Sequence, residues 1–145
     1  MRTMVSMVLA LAVGLTFGGV ALAEDDVVGP HKGPVAEWGE EEYHLEVVAD
    51  SKTGEVMVYV YSGDHEELKK GKTKPIDAKT INLSLKTTEP ATTLKLEAKP
   101  AKDDPEGKSS VFVGKHDAFK SEKKLVGVVS GKVGTKPYTG EFKQK

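Results

Sequence analysis

The sequence contains no cysteine. Disulfides, thiolate metal sites, cysteine nucleophiles and lipid attachment at an N-terminal cysteine are all excluded by that one absence. Methionine is scarce where it would matter: three of the four lie at positions 1, 4 and 7, and Met57 is the other, so a methionine-rich copper(I) site lacks ligands. Aromatic residues are few, with one Trp, four Tyr and four Phe, which equips the chain poorly for a cleft that stacks sugars. Basic residues are not in excess either. The 21 Lys and Arg are balanced by 22 Asp and Glu, for a formal net charge of −1, so nucleic acid is not an expected partner. Imidazole, carboxylate and hydroxyl groups remain to carry any chemistry.

The N-terminus has the parts of a secretory signal peptide. Arg2 precedes an uncharged apolar stretch from Met4 to Leu22, and Ala21-Leu22-Ala23 puts small residues at the −3 and −1 positions of a cleavage site ahead of Glu24-Asp25-Asp26. Export to the periplasm or the medium is predicted. An uncleaved membrane anchor is the alternative, because an apolar run of this length spans a bilayer; Gly14, Gly18 and Gly19 weigh against it. Cleavage after Ala23 removes one base and no acid, leaving 122 residues at net charge −2 with no second apolar run long enough to span a membrane. That is chain enough for one modest core.

The sequence divides into a signal peptide (1–23), an extended acidic lead-in (24–42) and a β domain (43–145). The lead-in holds Gly29, Pro30, Gly33, Pro34 and Gly39 and ends in Glu40-Glu41-Glu42, a composition that opposes a helix. From Tyr43 the apolar period is two: Tyr43, Leu45, Val47 and Ala49 share one face, and His44 and Glu46 point the other way. Residues 55–61 are apolar on both faces, Val56, Val58 and Val60 against Met57, Tyr59 and Tyr61, which predicts a strand covered on both sides. Residues 62–74 are charged and lack an apolar face; a loop with at most one helical turn is expected. Ile81, Leu83 and Leu85, then Leu94, Leu96 and Ala98, alternate with polar residues as half-buried strands do. A short strand at Val111-Phe112-Val113 follows, and the chain closes on a hairpin whose Gly134 favours a type II′ turn. About seven short strands without an alternating helix predict an all-β fold, an immunoglobulin-like antiparallel β-sandwich.

Motifs for catalysis are missing. Gly107-Lys108-Ser109 ends like a phosphate loop, but Lys102 stands where its first glycine belongs; Gly127-Val128-Val129-Ser130-Gly131 has the wrong spacing for a serine elbow. Asp103, Asp104 and Glu106 crowd carboxylates, yet Pro105 breaks the order of a calcium loop. Enzyme activity is therefore not expected. The histidines His31, His44, His65 and His116 carry the remaining interest, since imidazole with carboxylate suits zinc or copper(II). None is spaced to preform a site locally, so any site must be assembled by the fold. His65, in Gly63-Asp64-His65-Glu66, reads as a solvated loop residue.

Gly29-Pro30-His31-Lys32-Gly33-Pro34-Val35-Ala36-Glu37, then Glu46, Val58-Tyr59-Val60-Tyr61, Leu83-Ser84-Leu85, and His116 with Phe119, resemble the N-terminal domain of periplasmic adaptor subunits of bacterial heavy-metal efflux pumps. They also resemble small secreted bacterial proteins of unassigned function. In the adaptor pattern a Gly-Pro-His-Gly-Gly opening and a late Pro-His-Ser-Phe element occur. Here Lys32 replaces a glycine and the late element is His116-Asp117-Ala118-Phe119. The resemblance implies a metal-handling role and an envelope or efflux protein as partner. On this reading the chain is a non-enzymatic exported binding module. His31 and His116 are the first candidate ligands, brought together by edge pairing of the lead-in; His44, Glu46 and Glu37 are the second. The alternative is a metal-free interaction or structural module that docks a partner through a sheet face or edge.

Overall fold

The computed structural model describes residues 27–86, 92–120 and 124–144; the expected signal peptide lies outside them. Within these residues the fold is all-β and antiparallel, as expected. The strands are β1 (Val35–Trp38), β2 (Tyr43–Ala49), β3 (Glu55–Ser62), β4 (Thr80–Leu85), β5 (Thr92–Ala98), β6 (Val111–Lys115), β7 (Val126–Val133) and β8 (Lys136–Lys143). A short helix α1 (His65–Lys69) follows β3, and a 3₁₀ turn (Asp117–Lys120) follows β6. None of the described helices is long and apolar enough to cross a membrane.

Hydrogen bonding runs through all eight strands in the order β1-β2-β3-β6-β5-β4-β7-β8. The β6–β5 pairing has two positions, Glu97↔Val113 and Ala98↔Phe112, so this sheet bends into two four-stranded halves joined at one corner. Both halves contribute to one core: Leu45, Val47, Val56, Val58 and Val60 from the first, Ile81, Leu83, Leu85, Val129 and Phe142 from the second. The arrangement is sandwich-like in layering and nearly closed in hydrogen bonding. Opposite the corner, β1 lies beside β8. Trp38 on β1 donates its indole N–H to the Val129 carbonyl of β7 at 2.9 Å and stacks on Tyr138 of β8 at 5.5 Å. Closure needs a glycine at 140, since a Cβ there would stand 2.2 Å from the Glu37 carbonyl oxygen. Glu42, in the β1–β2 turn, ties the same seam by accepting from Lys136 Nζ at 2.7 Å and from the Tyr138 hydroxyl.

The strand beyond the expected seven is β1, inside the lead-in. Its Ala36 and Trp38 are fully buried and its Glu37 is exposed, a two-residue alternation too brief to stand out between Pro34 and Gly39. Helix α1 is the helical turn expected at most in the 62–74 loop. Asp64 caps it, accepting from Glu66 N at 2.8 Å, Ser62 donates to Glu67, and Leu68 supplies the single buried apolar anchor. The closing hairpin has the expected two-residue loop. Val133 pairs with Lys136, and Gly134 alone in that loop takes positive φ (+60°), the pattern of a type II′ turn.

Candidate functional site

The polar candidates gather on the outer face of β2 and β3. In this register Glu46 stands opposite Tyr59 and His44 opposite Tyr61, so side chains that point away from the core form one patch. The patch is covered. The lead-in turns back on itself at 29–34, with Val28 bridged to Pro34, and lies over Glu46; α1 lies against β3 beside His44.

The turn has the sequence it needs. Lys32 N donates to the Gly29 carbonyl at 2.8 Å and Gly29 N to the Gly33 carbonyl at 3.0 Å, with Pro30 in the second position of the turn. Lys32 takes left-handed φ (+63°), the role a glycine fills without strain. Gly29 and Gly33 are required by close approach: a Cβ would fall 2.1 Å from Glu46 Cδ in the first case and 2.3 Å from the Val47 carbonyl oxygen in the second.

Glu46 is fully buried and is the hub of this turn. Its Oε2 accepts from the backbone N–H groups of His31 and Gly33, both at 2.9 Å. Its Oε1 is 2.7 Å from His31 Nδ1 and accepts from the Tyr61 hydroxyl at 3.1 Å. Every partner is an N–H or O–H group, so the carboxylate acts purely as acceptor and His31 donates through Nδ1. The imidazole stacks on the Tyr59 ring at 4.2 Å, nearly parallel at 16°, and 46% of its side chain is exposed. Burial, and then the nearby Glu46 charge, raise the phenol of Tyr61 far above its ordinary value and raise that of Tyr59 as well.

His44 is 2% exposed. Its Nδ1 is 3.2 Å from the Ser62 carbonyl, to which it donates, and its ring centroid is 4.9 Å from that of His65, tilted by 49°. Burial is the main cause of a depressed His44 pKa, and the charge of His65 adds to it. His65 is exposed, yet its ring contact with His44 makes it part of this patch and not an isolated loop residue. Trp38, one residue along β1 from the partner of His44, turns into the core while His44 points away from it.

The other candidates lie apart. Glu37 is exposed opposite His44 in the β1–β2 register and accepts from Glu41 N at 3.1 Å. His116 hydrogen-bonds through its backbone N to the Gly54 carbonyl, and its Nδ1 accepts from Ala118 N at 3.0 Å, capping the 3₁₀ turn. The lead-in does approach that turn, since His31 and Phe119 share the lining of an open cleft of about 330 Å³, but His116 is not in it. The structure thus brings His31 to Glu46 and His44 to His65, and gathers no group of three or more His, Asp or Glu side chains fit for a metal among the described residues. Asp104 is spent locally, accepting from Ala101 N and from the Ser110 backbone and hydroxyl. No protein-family model, curated protein or solved structure matches this chain.

Tyr59, Tyr61 and Gly33 are the site residues that the sequence reading does not single out. One signal points to the tyrosines: β3 is apolar on both faces, so something must cover Met57, Tyr59 and Tyr61. The covering element is the Gly-Pro-framed lead-in.

Proposed function

We propose that this chain is a non-enzymatic binding module acting outside the cytoplasm, that it takes a divalent transition metal through imidazole nitrogens, and that it works beside an envelope or efflux protein. One observation carries the metal reading: on the same outer face, two histidines each commit Nδ1 to a protein acceptor, His31 to the Glu46 carboxylate and His44 to the Ser62 carbonyl. Histidines that ligate metals almost always hold their other ring nitrogen in this way, which fixes the tautomer and makes Nε2 a better ligand. Glu46 then serves as an orienting partner, because its oxygens are already taken.

The leader-like first 23 residues support action outside the cytoplasm, and the absence of nucleophile and phosphate motifs supports a binding role. A metal-free docking module has less behind it. Among the described residues Val28 is the one large hydrophobic side chain that is mostly exposed.

Titration of the purified protein with zinc and with copper(II), followed on the histidine ring signals by NMR, tests the metal reading. Saturable binding at micromolar concentration near neutral pH is expected. It should weaken as pH falls below about 6.5, where protons compete for imidazole. Ring signals that stay unchanged through the titration overturn it.

A further inference from the structure

His31 has no second imidazole beside it, and His116 has one ring nitrogen occupied by the Ala118 amide. The remaining two histidines touch each other. We propose that His44 and His65 together form a two-imidazole site for a transition-metal ion, with copper(II) preferred over zinc. This inference rests on the metal reading above and specifies where its centre lies.

The spacing fits a shared ion. A metal–nitrogen bond of about 2.05 Å, extended by about 1.15 Å to the ring centre, puts two imidazole centroids on one ion about 5.2 Å apart at a tetrahedral angle and about 4.5 Å apart at a right angle. The observed 4.9 Å lies between these values. The two rings come from different elements, the outer face of β2 and the first residue of α1, so the fold and not a local repeat sets their distance. His44 is immobilised by burial and by its bond to the Ser62 carbonyl, while His65 is exposed and free to adjust. A fixed inner ligand and an exposed outer one admit an ion without disturbing the core.

The surroundings favour a cation. Glu37 stands opposite His44 on β1, and the charges of Glu37 and Glu41 both act on the His44 ring. With two protein nitrogens, the other coordination positions fall to water, so affinity follows the general order in which copper(II) exceeds zinc.

The test uses copper(II) and zinc ions alone as probes on the purified chain. Expected are one-to-one binding, zinc-induced shifts of the His44 and His65 ring signals, and tighter binding of copper(II). His65→Ala alters an exposed side chain and should weaken copper(II) binding about ten-fold or more with thermal unfolding unchanged; His44→Gln should weaken binding to a similar extent. His116→Ala should leave affinity within about two-fold of wild type. Wild-type affinity in His65→Ala overturns this centre, and loss of binding in His31→Ala alone moves the metal reading to His31. A wild-type protein that binds neither ion overturns both the centre and the reading on which it rests.

Discussion

Replacing Glu46 by glutamine separates anchoring from charge, because glutamine keeps the shape and changes one oxygen into an NH₂ group. The two backbone donors on Oε2, His31 N and Gly33 N, cannot reverse their roles, so the amide oxygen must take that side. The NH₂ group then occupies the place of Oε1, facing His31 Nδ1 and the Tyr61 hydroxyl. Both of these can adapt: the hydroxyl rotates to accept, and the imidazole moves its proton from Nδ1 to Nε2. The Tyr61 O–H loses its carboxylate acceptor and has His31 Nδ1, at 3.4 Å, as its remaining partner. What is lost is charge assistance, about 1 kcal/mol for each of the hydrogen bonds, and this is offset by relief of the several kcal/mol of desolvation that a buried carboxylate carries. The net cost is about 1 to 2 kcal/mol.

Glu46→Ala leaves the same donors without an acceptor. Gly33 N–H and the Tyr61 hydroxyl, both buried, then cost about 1 to 3 kcal/mol each. The upper limit is the free energy needed to lift the 29–34 turn off the sheet, which lets water reach them. Urea unfolding of the two variants, together with ¹⁵N spectra of the His31 ring, reads out both effects. The expected result is a small loss for glutamine, a loss about twofold or more larger for alanine, and a proton moved to Nε2 of His31 in the glutamine variant. Equal losses in the two variants, or an unchanged His31 tautomer in Glu46→Gln, refute the role assigned to this carboxylate.

Two further predictions concern the core and the pH response. Leu83→Ala should cost about 2 to 5 kcal/mol, because Leu83 is fully buried between β5 and β7, whereas Ser84→Ala, on the outer face, should stay within about 0.5 kcal/mol; similar values at both positions would mean that the faces are reversed. Burial holds the His44 pKa below the ordinary imidazole value of 6.5, so the folded chain binds fewer protons at His44 than the unfolded chain. That stability is complete above 6.5 and is lost as pH falls from there toward the lowered folded value. Urea midpoints at mildly acidic and neutral pH should diverge in wild type and diverge less in His44→Gln, with His65, Glu37 and Glu41 kept as the charges that face the ring.

Much of the sheet is legible in the sequence because its strands obey a period of two with one face buried. Ile81, Leu83 and Leu85 against Asn82 and Ser84 fix both the strand and its orientation, since a slip of one residue would bury the polar set. Gly134 fixes the last turn for a similar reason, as the backbone demands positive φ there. Strand β1 escapes, and α1 shows in the sequence as no more than one allowed turn, because each is held by tertiary contacts. β1 rests on the burial of Ala36 and Trp38 against the seam with β7 and β8, and α1 on Leu68 and the Asp64 cap; neither segment is long enough to show a period. The near-closure of the sheet depends on the absence of a Cβ at Gly140, which is informative only once Glu37 is known to lie across from it.

The site is legible to the extent that outward-facing residues can be named, and illegible where outward does not mean solvent. The alternation of β2 places His44 and Glu46 away from the core, and the structure agrees, yet both are buried. The difference comes from a second layer that no periodicity announces, the 29–34 turn over Glu46 and α1 beside His44. A buried carboxylate requires donors, and the turn brings them. Gly29 and Gly33 allow the backbone to approach closely enough for two amides to reach Oε2, and Pro30 and Lys32 bend the chain so that the His31 ring reaches Oε1. The opening Gly-Pro-His-Lys-Gly-Pro therefore has a structural reason in every residue but the exposed edge of His31. That edge and the His44–His65 contact are the imidazole positions on which the proposed metal reading turns.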